Sequence, residues 1–260
     1  MIVSEWDEFI SRDSHAVPAA VTIGVFDGVH LGHQELITSI CRYSAEHRVR
    51  SMVFTFRASP KRHTRHAQHR NVQSLRQRLE CLQELGVQET VLIDFTRKFS
   101  RMKGEDFWNI VSRCITIRHL ALGDDFRMGK NGSLNSAGIK RFFAGQSPSP
   151  EIIVFTPVLV DGVRVSSSRL RDAVAAGDLA QYARLTGRPY WVETAALLHH
   201  RDNADIILPP SGRYMVPAAV ADGELHTMNL SVCLGSSDAT SSSIESFYAL
   251  QLRQITQDSE

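Results

Sequence analysis

The sequence predicts an α/β protein, a parallel sheet with helices on both faces, followed by a small, mainly β domain. Three observations predict it. Apolar, β-prone runs alternate with segments of helical periodicity through most of the chain. The conspicuous polar loops follow strands rather than precede them. After Gly187-Arg188-Pro189-Tyr190 the composition shifts to Ala, Val and Ser, and Pro209, Pro210, Gly212 and Pro217 break up short apolar runs. The boundary between domains is therefore expected at residues 187/188.

Taken in order, residues 1–18 read as an irregular or short-strand lead-in closed by Pro18. Val21–Val25 is the first strand, and it runs into a turn holding Gly28, His30, Gly32 and His33. A helix is expected from about His33 to His47, because Leu36, Ile37, Ile40 and Ala45 recur at roughly helical spacing. Arg50–Phe56 alternates and is β-branched, a second strand, and a basic loop over 57–73 follows it. Ser74 opens a helix with Gln77 as capping-box partner and Gly86 as the stop. Glu89–Phe95 is a third strand, Glu105–Ile117 a helix, and Arg118–Gly123 a fourth strand leading into DDFRMGKNGS. A helix over Ser136–Ala144 and a fifth strand over Glu151–Thr156 complete the alternation. Asp161-Gly162 is a turn signal between two short apolar pieces. Beyond Tyr190 the short apolar runs are expected to be strands, with a closing helix near Ile244–Ile255.

The stretch VTIGVFDGVHLGHQ, Val21–Gln34, carries the clearest chemistry. Strand, glycine-rich turn and helix in that order aim free backbone N–H groups and a positive helix end at one point, which suits phosphate. His30 and His33 can donate to phosphoryl oxygens from the same rim, and HLGH within GVFDGVHLGH is a nucleotidyltransferase signature. A second phosphate-facing feature is VSSSRLR, Val165–Arg171. Ser166, Ser167 and Ser168 stand ahead of an apolar-periodic stretch, and Arg171 falls one turn into that helix, where a guanidinium can fork onto a bound phosphate. Alone, VSSSRLR would read as a plain serine cap with a solvated arginine; beside the histidine turn, the phosphate reading prevails.

Composition excludes several function classes. A chain of 260 residues with formal net charge +1 has no global basic field for nucleic acid. No apolar run approaches the roughly 18 residues that would suggest a membrane span. The start, MIVSEWDEF, lacks the basic and apolar regions of a secretion signal, so a cytoplasmic protein is expected. Cys41, Cys81, Cys114 and Cys233 are far apart and read as reduced thiols. The loop 57–70 holds five arginines and lysines with His63, His66 and His69. It reads as a solvated basic loop, or as a flap that attracts anions, in preference to a metal site. Trp6, Trp108 and Trp191 read as packing residues. No signal sets an oligomeric state.

From about residue 15 to 190 the chain resembles the bacterial bifunctional riboflavin kinase/FMN adenylyltransferases, the prokaryotic FAD synthetases. The resemblance rests on GVFDGVHLGH, TF followed by Pro60, LRQRLECLQELGV, LGDDFRMGK, VSSSRLR and GRPY. It implies a Rossmann-like nucleotidyltransferase domain of the HxGH type that joins FMN to the AMP portion of ATP, giving FAD and pyrophosphate. By the same resemblance His30 and His33 contact the ATP phosphates. Arg171 and the Ser166–Ser168 hydroxyls hold the β- and γ-phosphates, and Mg²⁺ bridges phosphate oxygens with no protein ligand assigned. Gly24, Phe26, Gly28 and Gly32 allow close approach of ATP, and Asp27 braces the turn. Phe56 and Pro60 fall in the flavin-side loop. Asp125, Phe126 and Arg127 fall in the turn that contacts adenine or flavin.

There are departures from the family. Where it commonly reads TFDPHP, this chain has Thr55-Phe56-Arg57-Ala58-Ser59-Pro60; Ser168 replaces a threonine, and Met128 stands where an aromatic is frequent. Kinase-competent members continue past GRPY with a segment like GRxLGFPTAN, whereas Trp191–Asp205 has no glycine and no PTAN, and only LPPSGRYMV echoes the family's next strand. The C-terminal domain, residues 188–260, is therefore expected to be a reduced riboflavin-kinase-like barrel without kinase activity. Two alternatives stand beside the adenylyltransferase: a flavin- or nucleotide-binding regulator without turnover, and an adenylyltransferase for another phosphomonoester.

Overall fold

The computed structural model describes residues 1–12, 17–58, 70–192, 206–210, 212–219, 225–232 and 250–254. The chain separates into two compact units, Met1–Gln68 with Leu75–Leu159, and His69–Ser74 with Val160–Glu260. In chain order the first unit contains β1 (Ile2–Glu5), α1 (Trp6–Ile10), β2 (Pro18–Ile23), α2 (Leu31–His47), β3 (Arg50–Phe56), α3 (Leu75–Glu84) and β4 (Glu89–Ile93). It continues with α4 (Gly104–Cys114), β5 (Thr116–Gly123), the two-residue strands β6 (Arg127–Met128) and β7 (Leu134–Asn135), α5 (Ser136–Ala144) and β8 (Glu151–Phe155).

Six of these strands form one sheet in the order β1-β4-β3-β2-β5-β8, every pair parallel. The predicted parallel sheet is thus present, with the lead-in contributing an edge strand beside β4. Side chains alternate across it. Ala19, Val21 and Ile23 of β2 face a core shared with Phe9 of α1, Phe107, Trp108 and Val111 of α4, and Ile139 and Phe143 of α5. Ala20 of β2 and Val53 of β3 face the opposite core, with Leu36, Ile37 and Ile40 of α2 and Cys81 and Leu82 of α3. Both faces are covered, as a parallel sheet requires.

Two polar clusters tie the sheet's amino-terminal edge. Glu89 is fully buried and accepts from Arg12 at 2.5 Å, Arg50 at 2.9 Å and Ser4 at 3.1 Å. His119 of β5 lies 3.0 Å from Ser39 Oγ and 3.1 Å from Glu151, with Tyr43 stacked at 4.5 Å. Trp6 and Trp108 sit among aromatic neighbours, as packing residues should. Among the described cysteines, Cys41, Cys81 and Cys114 form no disulfide.

The helix expected over Glu105–Ile117 ends three residues early, at Cys114. Ile115 and Ile117 are buried, and β5 begins at Thr116, so the β-branched run joins the sheet. No helix among the described residues is long and apolar enough to cross a membrane.

β9 (Leu159–Val160) falls at the boundary, and the second unit contains β10 (Val163–Arg164), α6 (Ser167–Ala176), α7 (Leu179–Thr186), β11 (Tyr190–Val192), β12 (Gly212–Ala219), β13 (Leu225–Val232) and β14 (Leu250–Gln254). Asp161 (φ 55°) and Gly162 (φ 73°) join β9 to β10 with two consecutive left-handed residues, the tight hairpin their sequence predicts. The later strands form a sheet of order β11-β14-β12-β13. Leu250–Gln254 is a strand in that sheet, so the closing helix expected through Ile255 is not formed there; Ile244–Ala249 and Ile255 lie outside the described residues.

Candidate functional site

In the sheet order the chain runs outward from β2 through β3 to β4, then returns to the other side of β2 as β5. The reversal lies between the carboxyl ends of β2 and β5, where open parallel sheets bind ligands. The histidine turn leaves β2 there, and Gly123–Arg127 leaves β5 there.

Three residues of the turn adopt left-handed backbone: Phe26 (φ 52°), Gly28 (φ 83°) and Val29 (φ 35°). Glycine tolerates this, but for a β-branched valine it is strained, at about 1–3 kcal/mol per residue. Packing imposes it. Phe26 and Val29 are buried against α2 and α3, and the Phe26 ring lies over Gly24 so closely that a Cβ there would stand 3.0 Å from it. Hydrogen bonds hold both ends: Gly24 N–H donates to Phe54 O at 3.1 Å, Thr55 Oγ1 to Val25 O at 3.1 Å, and Gln34 Nε2 to Val29 O at 2.9 Å. Asp27 is buried in the same turn.

His30 is the N-cap of α2, and its Nδ1 accepts from the His33 backbone N–H at 3.2 Å. That bond leaves the neutral ring's proton on Nε2, as a donor. The His33 ring stacks on His30, centroids 3.6 Å apart and planes 15° apart. Burial, and after it the charges of His30 and Arg78, hold His33 well below the ordinary histidine value of 6.5. His33 Nδ1 is buried without a hydrogen-bond partner. Gly32 sits in the first turn of α2, where an added Cβ would lie 3.4 Å from the His30 ring. The arrangement brings two stacked imidazoles, His33 held neutral, and the N–H groups at the start of α2 to one point, which suits an anion with delocalised oxygens.

After β5, Phe126 N–H turns back to Gly123 O at 3.2 Å; Asp125 and Arg127 are exposed, and Phe126 packs against the sheet's core. At the exit of β3, Phe56 is half-buried with edge contacts to Phe95 at 5.7 Å and Phe99 at 5.9 Å. Pro60 and the histidines of the basic loop lie outside the described residues. In the second unit, Ser166 caps α6 through Oγ, which accepts from Arg169 N–H at 3.3 Å, with Ser167 and Ser168 in the first turn. Arg171 Nε donates to Arg70 O at 2.8 Å. The first unit therefore gathers Gly24, Phe26, Asp27, Gly28, His30, Gly32 and His33 on one turn. Ser166–Ser168 and Arg171 share one helix end of the second unit.

Sequence reasoning missed Arg78. It is buried on α3, and Nη1 donates to Val25 O at 2.7 Å while Nη2 donates to Phe56 O at 2.7 Å and Arg57 O at 3.3 Å. A signal was available: Arg78 stands three residues from Cys81 and four from Leu82, on the stripe that faces the core. A charge there is buried unless it has partners.

A sequence profile described as FAD synthetase matches residues 12–169. A putative bifunctional riboflavin kinase/FMN adenylyltransferase of Geobacillus thermodenitrificans is 30% identical over 171 residues, covering 66% of this chain and 90% of that protein. The bifunctional riboflavin kinase/FMN adenylyltransferase of Escherichia coli K12 is 31% identical over 173 residues, covering 65% of this chain and 54% of that protein. That of Listeria monocytogenes is 25% identical over 221 residues, covering 79% and 69%. The fold matches the macrolide-efflux protein of Streptococcus pneumoniae at a TM-score of 0.74 and 21% identity, over 99% of this chain and 86% of that one. With the profile matched across the strained histidine turn and the turn after β5, the chain belongs to the FAD synthetase family.

Proposed function

We propose that this protein is an FMN adenylyltransferase that transfers AMP from ATP to FMN, giving FAD and pyrophosphate, and that it does not phosphorylate riboflavin. The observation that carries the reading is the His30–His33 pair at the amino terminus of α2, beside the sheet's reversal point. A phosphate oxygen of FMN attacks the α-phosphorus of ATP in line. The bond from the α-phosphorus to the bridging oxygen breaks, and pyrophosphate leaves with that electron pair. The attacking monoester is already anionic, so no protein nucleophile or base is required. Catalysis then rests on alignment and on neutralising charge as it moves to the leaving oxygens.

In this reading His30 Nε2–H and the neutral His33 ring donate to those oxygens, and the N–H groups at the start of α2 add the helix end's positive field. Ser166, Ser167, Ser168 and Arg171 supply further phosphate donors in this reading, while Phe56, Phe126, Asp125 and Arg127 belong to the flavin and adenine contacts. Mg²⁺ would come with ATP and screen its phosphate charge. The protein would work in the cytoplasm on two diffusible anions, without nucleic acid or membrane.

Incubating the pure protein with FMN, ATP and Mg²⁺ tests this. FAD and pyrophosphate in equal amounts are expected. Pyrophosphate release with another phosphomonoester, but not with FMN, would move the reading to a different acceptor; release with none would leave a binding protein.

A further inference from the structure

Arg78 is a cation without a catalytic position, and its hydrogen bonds explain why it is there. Its three acceptors are main-chain carbonyls from two different chain exits. Val25 is the last residue before the left-handed Phe26, and Phe56 and Arg57 are where β3 gives way to its loop. The guanidinium is planar, so a single rigid fork fixes the separation of the two exits. A lysine carries the same charge but has no such geometry. Arg57 is held from its other side by its N–H to Ile93 O at 3.0 Å and by ion pairs to Glu5 at 2.5 Å and Asp94 at 3.2 Å. The Arg78 fork is thus the bond between a braced β3 exit and a strained turn.

The burial has a cost that packing alone does not repay. Arg78 Nε is buried without a hydrogen-bond partner. Burial lowers the guanidinium pKa to about 10, against the attraction of Asp27, so the group stays charged at neutral pH. An apolar residue at this core-facing position would satisfy the helix and the sheet without that penalty.

We propose that Arg78 is a positioning residue that locks the phosphate turn after β2 to Phe56 and Arg57 at the exit of β3, so that the turn and this exit move as one body. It touches neither substrate; it acts through the carbonyls of Val25, Phe56 and Arg57. The catalytic part of this inference rests on the adenylyltransferase reading, in which the turn holds the ATP phosphates and the β3 exit leads to the acceptor. In-line displacement then depends on their mutual placement, and a misplacement of about 1 Å can cost about 100-fold in rate.

The test compares Arg78→Lys and Arg78→Met with the wild-type chain by amide hydrogen exchange, circular dichroism and steady-state FAD formation. In Arg78→Lys we expect a folded protein in which the amides of Val29 and Arg57 exchange faster together, while those of α4 and α5 keep wild-type protection. We expect kcat to fall about 10-fold or more, with KM for ATP and FMN within about threefold of wild type. Arg78→Met should show the same coupled loosening. Acceleration at only one of the two amides overturns the inference, and so does a kcat within twofold of wild type in an active preparation. Variants unfolded at 25 °C also overturn it, because Arg78 would then serve the fold as a whole. If the wild-type chain forms no FAD, the adenylyltransferase reading fails, while paired or unpaired exchange still decides the coupling.

Discussion

At the scale of single residues, the two stacked histidines of the turn after β2 are held in different ways. His30 is fixed by its cap bond, and His33 is kept neutral by burial and by the neighbouring charges of His30 and Arg78. If His33 donates to the leaving oxygens, His33→Ala should lower kcat/KM for FAD formation by about 2–4 kcal/mol of transition-state stabilisation. Turnover near wild type would remove His33 from the mechanism. The same depressed pKa has a consequence for stability. Below pH 6.5 the unfolded chain binds a proton at residue 33 that the folded chain refuses, so stability falls as pH falls, until the folded-state value is reached. The slope from this one group is at most about 1.4 kcal/mol per pH unit. Urea denaturation across that window should show a pH dependence shallower by up to one proton in His33→Ala, and parallel curves would contradict the shift. Gly24→Ala sets a steric test of the same turn. Its Cβ would meet the Phe26 ring at 3.0 Å, so a stability loss of about 1–3 kcal/mol is expected in chemical denaturation.

At the scale of elements, much of the fold was legible. Arg50–Phe56 and Ser136–Ala144 are the strand and helix expected there, because period-2 and period-3.6 patterns are strong in those runs. The histidine turn was legible as strand, glycines and helix, but its left-handed Phe26 and Val29 were not. No residue preference specifies them; buried packing against α2 and α3 does. Arg78 was hidden for a similar reason, since its partners are carbonyls brought near only by the fold. The edge strand β1 has no distinct signal in the sequence because it is short and its pairing partner β4 lies 85 residues away in the Ser4–Glu89 contact. That contact belongs to a cluster with its own expected effect. Glu89→Ala would leave Arg12 and Arg50 without their buried acceptor. Both arginines are partly exposed and can rehydrate, so the expected loss is about 2–4 kcal/mol in chemical denaturation, toward the lower end for a broken buried pair. A loss under about 0.5 kcal/mol would show that the cluster does not hold the first strand to the sheet.

At the scale of the whole molecule, the two parts of the chain differ in how their sequence relates to the family. The profile match, residues 12–169, covers the parallel sheet and reaches Ser166–Ser168, but stops short of Arg171 and the later strands. Those strands were legible only as a β-rich region: short apolar runs give the element type, whereas their order, with Leu250–Gln254 between β11 and β12, depends on long-range pairing that no local pattern encodes. The mainly β character by itself says nothing about phosphoryl transfer, since function follows from site residues and not from fold. The proposal that riboflavin is not phosphorylated rests on the residues past Tyr190. A kinase for riboflavin must bind ATP a second time, and the family resemblance assigns that role to a glycine-rich segment like GRxLGFPTAN. In Trp191–Asp205 every such glycine is replaced or absent, and the PTAN hydroxyl and amide go with them. Riboflavin and ATP with Mg²⁺ should therefore give no FMN from the same preparation that converts FMN to FAD. Running the two assays side by side separates a missing kinase from an inactive protein. FMN appearing from riboflavin at a rate comparable to FAD formation would mean that a different segment of this chain binds the second ATP.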